Sequence, residues 1–124
     1  IVVQGDRILA RAHNQREGLS DPTAHAELLA IREAARVLGS WRLLDTTIYV
    51  TLEPCPMCAG AMVQARIPRL VYGARDPKAG AAGSVVNLVC NPCFNHVMEV
   101  AAGVLEEDCG GILQRFFEKL RGAD

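Results

Sequence analysis

The sequence predicts an α/β fold, on three observations. Short runs of β-branched and aromatic residues recur along the chain, longer stretches rich in Ala, Leu and Arg alternate with them, and Gly and Pro stand at the joints. Ile1–Val3 reads as a first strand, Gly5-Asp6 as a turn, and Ile8–Ala12 as a second strand. Asp21-Pro22-Thr23 offers cap side chains and a proline suited to a first helical position, so a helix is expected over Ala24–Leu38. Thr47–Leu52 is β-branched and aromatic, hence a strand. Pro54 and Pro56 end it and open a second helix. Leu70–Ala74 is the next strand, followed by the breaker-rich stretch Asp76–Ser84, a loop suited to the rim of a pocket. A short helix or turn over Val86–Val89, a strand over Met98–Val104 and a final helix over Leu105–Leu120 complete the layout. Neither an internal repeat nor a low-complexity segment interrupts it.

With 124 residues, 50% of them hydrophobic, residues 1–124 are expected to form one domain around a single core. Five cysteines behind an N-terminus unlike a signal peptide point to a reducing, cytoplasmic setting. A membrane span needs about 18 consecutive uncharged apolar residues, and the sequence has no such run. The formal net charge of −1 argues against bulk attraction to nucleic acid and leaves room only for a local patch. Arg66, Arg69, Arg75, Lys78, Arg115, Lys119 and Arg121 are placed to make one, although scattered Arg on solvated faces is the commoner meaning of such a set. Between Met57 and Ile67 only Gln64 and Arg66 are polar, so the second helix has little solvent face. Its second side meets either a partner or other helices of the same chain.

The chemistry is concentrated in His25-Ala26-Glu27 and Pro54-Cys55-Pro56-Met57-Cys58. One imidazole and two thiolates are three ligands for Zn²⁺, and they leave the fourth tetrahedral position open, as catalytic zinc requires. Water held there has a pKa of about 7. Glu27, two residues beyond a ligand, is placed to take and redeliver protons, so the pattern points to hydrolytic deamination. Both ligand sets are expected in the first turns of helices, where the positive end of the macrodipole favours thiolates.

Plainer readings stand beside these. C-x-x-C alone can be a redox pair, or half of a four-Cys ribbon completed by Cys90-Asn91-Pro92-Cys93, but either leaves His25 idle. Cys109 is most simply a core thiol on an apolar helix face. Glu53, next to a ligand, is read as a capping or supporting carboxylate and not as a second acid. His13 and His96 read as surface or hydrogen-bonded histidines.

Asp21–Glu27, Thr51–Met62, Gly73–Lys78, Gly80–Ser84, Asn95-His96 and Phe116-Phe117 together resemble the bacterial tRNA-specific adenosine deaminases, within the cytidine deaminase superfamily, over nearly the whole chain. The H-x-E with P-C-x-x-C signature is already known from that family. The resemblance implies a three-layer α/β/α sandwich on a five-stranded mixed sheet, one Zn²⁺ per chain on His25, Cys55 and Cys58, and Glu27 as the catalytic residue. It implies a homodimer acting on the anticodon stem-loop of tRNA, where adenosine at the wobble position becomes inosine. By position, Asn14 and the Ala26 backbone N–H correspond to groups that read the flipped base. Asp76, Lys78, Asn95, His96 and Phe117 correspond to anticodon-loop contacts. The family begins with an amphipathic helix ahead of the first strand, whereas this chain begins inside that strand. Val97 stands where a basic residue is expected, and Cys90 and Cys93 lie outside the family pattern. Two other functions share these motifs: a free guanine or cytosine deaminase, and a catalytically silent zinc-stabilised RNA-binding subunit, which would have no use for Glu27.

Overall fold

The computed structural model describes residues 1–122, with side chains to Lys119. Its elements are β1 (Val2–Gln4), β2 (Arg7–Ala10), α1 (Arg16–Leu19), α2 (Ala26–Leu38), β3 (Thr46–Leu52), α3 (Pro56–Gln64), β4 (Arg69–Ala74), β5 (Glu99–Ala101) and α4 (Glu106–Gly122). The five strands form one mixed sheet in the order β2-β1-β3-β4-β5. Gly5, at a φ of 58° that a side chain would disfavour, turns β1 into β2. β1 lies antiparallel to both β2 and β3, while β3, β4 and β5 run parallel. A parallel pair requires a crossover, and α3 supplies the one between β3 and β4.

Alternation along the strands sorts the side chains into two faces. Ile48, Leu70 and Tyr72 enter a common core with Ala30 and Ala34 of α2 and Ala59, Met62 and Val63 of α3. Gly73 points the other way, where a Cβ would collide with Cys109 of α4, so α4 packs on the opposite face against β3 and β4. This is the expected α/β/α layering on five mixed strands. Because α3 starts directly beyond β3, its first turn stands over the carboxyl end of the parallel strands, where open α/β sheets place their ligands.

Several boundaries differ from the sequence reading. The Asp21 carboxylate accepts from the Thr23 N–H and hydroxyl, 2.8 and 2.6 Å, so it closes a turn instead of capping α2. The helix begins at Ala26, with His25 as its extended N-cap. A helical turn, α1, replaces part of the expected loop because Asn14 Oδ1 accepts the Arg16 N–H at 3.0 Å. β5 is shorter than Met98–Val104, since Gly103 (φ 75°) and Leu105 (φ 52°) bend the chain out of extended geometry before α4. Val86–Val89 is irregular, tied back by a bridge between Ala82 and Asn87.

Candidate active site

Two helix starts build the site. His25 is the N-cap of α2 and Cys55 the N-cap of α3, both in extended conformation, and Cys58 follows in the first turn of α3. Pro56, just inside α3, has no N–H to leave unpaired and carries a φ suited to helix, so the chain turns sharply from strand to helix at Cys55. The result brings residues thirty or more apart in sequence together. His25 Nδ1 lies 3.6 Å from Cys55 Sγ and 3.5 Å from Cys58 Sγ. All three ligand atoms lie within 4.8 Å of one another.

These spacings test whether zinc fits. Bonds of about 2.3 Å to sulfur and 2.0–2.1 Å to nitrogen at a tetrahedral angle put N and S about 3.5–3.6 Å apart. Both observed distances match. Cys58 is buried, and burial pushes its thiol well above the usual range, with the Glu27 carboxylate and Cys55 adding to the effect. A thiol so placed gives up its proton only to a cation held against it. The donor set therefore suits one Zn²⁺ with three protein ligands. Cys90 and Cys93 are exposed and stand outside the cluster, which is the one group of three such ligands among the described residues. The four-Cys ribbon is thereby ruled out as the arrangement of these thiols.

Glu27, in the first turn of α2, places its carboxylate beside Cys58 and is half-buried at the same end of the sheet. Ala26 is the first residue of α2, and a first-turn N–H has no acceptor within its own helix. Asn14 is exposed, with Oδ1 accepting from Arg16 N and Nε. Asp76 Oδ1 accepts the N–H groups of Lys78 and Ala79 at 3.0 and 3.2 Å, a turn-closing role for that oxygen, while Lys78 is exposed. Asn95 is exposed. His96 lies 2.6 Å from the Ile67 carbonyl oxygen through Nε2, the hydrogen-bonded role that a lone histidine commonly has. Phe117 is 52% exposed and Phe116 54%, their rings edge to face at 5.6 Å. Among the other basic residues Arg69 pairs with Glu99 and Arg66 caps α3 through the Val63 carbonyl. The Arg121 side chain lies outside the described residues.

Glu53 does more than the sequence suggested. Its side chain is 2% exposed and has no cation against it among the described residues. Oε1 accepts the Asp76 N–H at 3.1 Å and the Ser84 hydroxyl; Oε2 accepts the Ala82 and Ser84 N–H groups at 3.0 and 3.1 Å. Burial works against its charge, but the bonds from Ser84, Asp76 and Ala82 prevail and hold the carboxyl below the usual range. Gly80 must be glycine, since any Cβ would overlap that carboxylate. Nothing in the sequence assigns Gly80 or Ser84 a role beyond their place in the Gly80–Ser84 segment that carries the family resemblance.

Comparison with known proteins agrees with this geometry. A family model described as MafB19-like deaminase matches residues 1–121. The chain is 55% identical over 121 residues to a tRNA-specific adenosine deaminase of Bacillus subtilis, covering 98% of this chain and 74% of that protein. A solved structure from work on A-to-I editing by tRNA:A34 deaminases at the wobble position of transfer RNA superposes with a TM-score of 0.86 at 46% identity, over 90% of this chain and 81% of that one. A guanine deaminase from Bacillus subtilis is more distant, with a TM-score of 0.61 and 31% identity over 98% of this chain and 77% of that one.

Proposed function

On the premise that this chain belongs to the tRNA-specific adenosine deaminases, we propose that residues 1–124 form one zinc-dependent unit that converts adenosine to inosine at the anticodon wobble position of a cytoplasmic tRNA. The observation that carries the reading is the His25–Cys55–Cys58 cluster, spaced for zinc, with the Glu27 carboxylate beside it. Zinc, when bound by these three residues, supplies Lewis-acid activation of water. Adenosine and water become inosine and ammonia: oxygen adds to C6 of the base and the C6–N bond breaks. Glu27 receives the proton lost by the incoming water and delivers it to N1 of the ring, and the proton of the oxygen added at C6 then passes by way of Glu27 to the departing exocyclic amine, which leaves as ammonia. The base has to leave its stack to reach the site, which an anticodon loop permits at low cost. Asn14 and the Ala26 N–H are assigned to its edge. Asp76, Lys78, Asn95, His96 and Phe117 are assigned to the surrounding loop. For His96 and Asp76 this is a backbone-shaping role, in keeping with their bonds to Ile67, Lys78 and Ala79.

The higher identity to tRNA deaminases than to the guanine deaminase favours a polynucleotide over a free base, as do the exposed Lys78 and Phe117. A homodimer fits the outer face of α3, where Met57, Gly60, Ala61 and Gln64 line up at helical spacing and are not buried. The test is Glu27→Ala. It should keep its zinc and its affinity for an anticodon stem-loop while losing turnover by about 10²-fold or more. Near-normal inosine formation by the folded variant would refute the role.

A further inference from the structure

Glu53 sits two residues before Cys55 and grips the loop that leaves the adjacent carboxyl end of β4. Four donors converge on its carboxylate: three backbone N–H groups, from Asp76, Ala82 and Ser84, and the Ser84 hydroxyl. Two carboxylate oxygens offer about four acceptor sites, so the group is saturated. The same segment holds the loop through its backbone as well, because the Pro54 carbonyl accepts the Ala81 N–H at 2.8 Å and the Glu53 N–H donates to the Ala74 carbonyl at 2.8 Å. A buried carboxylate without a cation is costly to keep, and among the described residues only the loop's own donors offset it. The loop is thereby indexed to the segment that carries a metal ligand.

We propose that Glu53 is a positioning residue for substrate: it fixes the Asp76–Ser84 loop in register with Cys55, so that Lys78 and the Asp76 turn stand at a set distance from the reacting base. This rests on the tRNA deaminase reading for the identity of the substrate, but the fixing of the loop does not. Gln is the informative replacement at Glu53. It has the same shape, yet its amide nitrogen would face the Ala82 and Ser84 N–H groups in one orientation and the Asp76 N–H in the other, so at least one backbone donor loses its acceptor either way. Ser84→Ala removes one of the four donors and spares the rest.

The experiment measures zinc content, kcat and KM on an anticodon stem-loop for the full chain and for Glu53→Gln and Ser84→Ala, with hydrogen exchange at the Asp76, Ala82 and Ser84 amides. Glu53→Gln should retain zinc and raise KM by about tenfold to a hundredfold, the scale on which misplaced supporting groups act, with kcat changed far less. Ser84→Ala should shift KM the same way by less, and the three amides should exchange faster in Glu53→Gln. A merely structural Glu53 would lower kcat in step with folded or zinc-loaded protein and leave KM alone, and that result, or unchanged exchange, would overturn the proposal. Should Glu53→Gln not fold, an unaltered KM in Ser84→Ala overturns it equally. Wild-type protein inert on the stem-loop would sink the functional reading instead, and amide exchange would still decide whether Glu53 fixes the loop.

Discussion

At the scale of single residues, Cys58 is where metal and core meet. It is fully buried, it packs with Ala59 and Met62, and its sulfur stands 3.5 Å from His25 Nδ1. Replacing it removes a ligand and leaves a small void under α3, and because metal-binding free energy is also folding free energy, both effects fall on stability. Cys58→Ala should therefore lose zinc and lower Tm, which metal analysis and a thermal melt read directly. Cys90→Ala is the control: the residue is exposed and, among the described residues, its thiol bonds only the Met98 carbonyl, at 3.2 Å, so zinc content should not change. Full zinc in the first variant, or zinc lost from the second, would reassign the ligands. The ligand set was legible in the sequence because H-x-E and P-C-x-x-C impose it locally. The full work of Glu53 was not, since three of its four donors come from residues 29 and 31 positions away.

At the scale of elements, the Asp76–Ser84 loop and α4 present two different surfaces. Lys78 is an exposed cation on the loop, while Phe117 is a half-exposed ring on α4. If both meet the anticodon loop, they do so through different physics. Lys78→Ala should weaken binding and make its salt dependence shallower, because fewer phosphate counterions are released. Phe117→Ala should weaken binding by about 1–3 kcal/mol, the scale of a lost base–aromatic stack, with the salt slope nearly unchanged. Titration against a stem-loop at several salt concentrations separates the two, and unaltered affinity in both variants would favour a free-base substrate. Strands β3 and β4 and helices α2 and α3 were legible to within a few residues, since composition and proline placement act locally. α1 and the short β5 were not. One depends on the Asn14 side chain finding the Arg16 N–H, and the other on positive φ at Gly103 and Leu105. Asp21 looked like a helix cap because sequence alone cannot tell a cap from an Asx turn; the two use the same oxygen.

For the whole molecule, the sheet order sets the function. Parallel β3 and β4 with α3 between them lift Cys55 and Cys58 to one end of the sheet, and α2 brings His25 and Glu27 to the same end. No helix among the described residues is long and apolar enough to cross a membrane. The outer face of α3, with Met57 37% exposed, is the surface on which a second copy would sit. In a two-fold interface each substitution is felt twice, so Met57→Glu combined with Gln64→Glu should convert a dimer to a monomer in sedimentation velocity, while a monomeric wild type would remove the dimer from the account. Hydrolytic deamination of one adenosine in an anticodon loop takes its new oxygen from solvent. Incubation of the zinc-loaded protein with a stem-loop in ¹⁸O-water, followed by sequence-resolved mass spectrometry, locates that oxygen. The expected result is inosine at the wobble position alone, carrying one solvent-derived oxygen. An unchanged stem-loop from folded, zinc-loaded protein, with turnover found only on free guanine or cytosine, would contradict it.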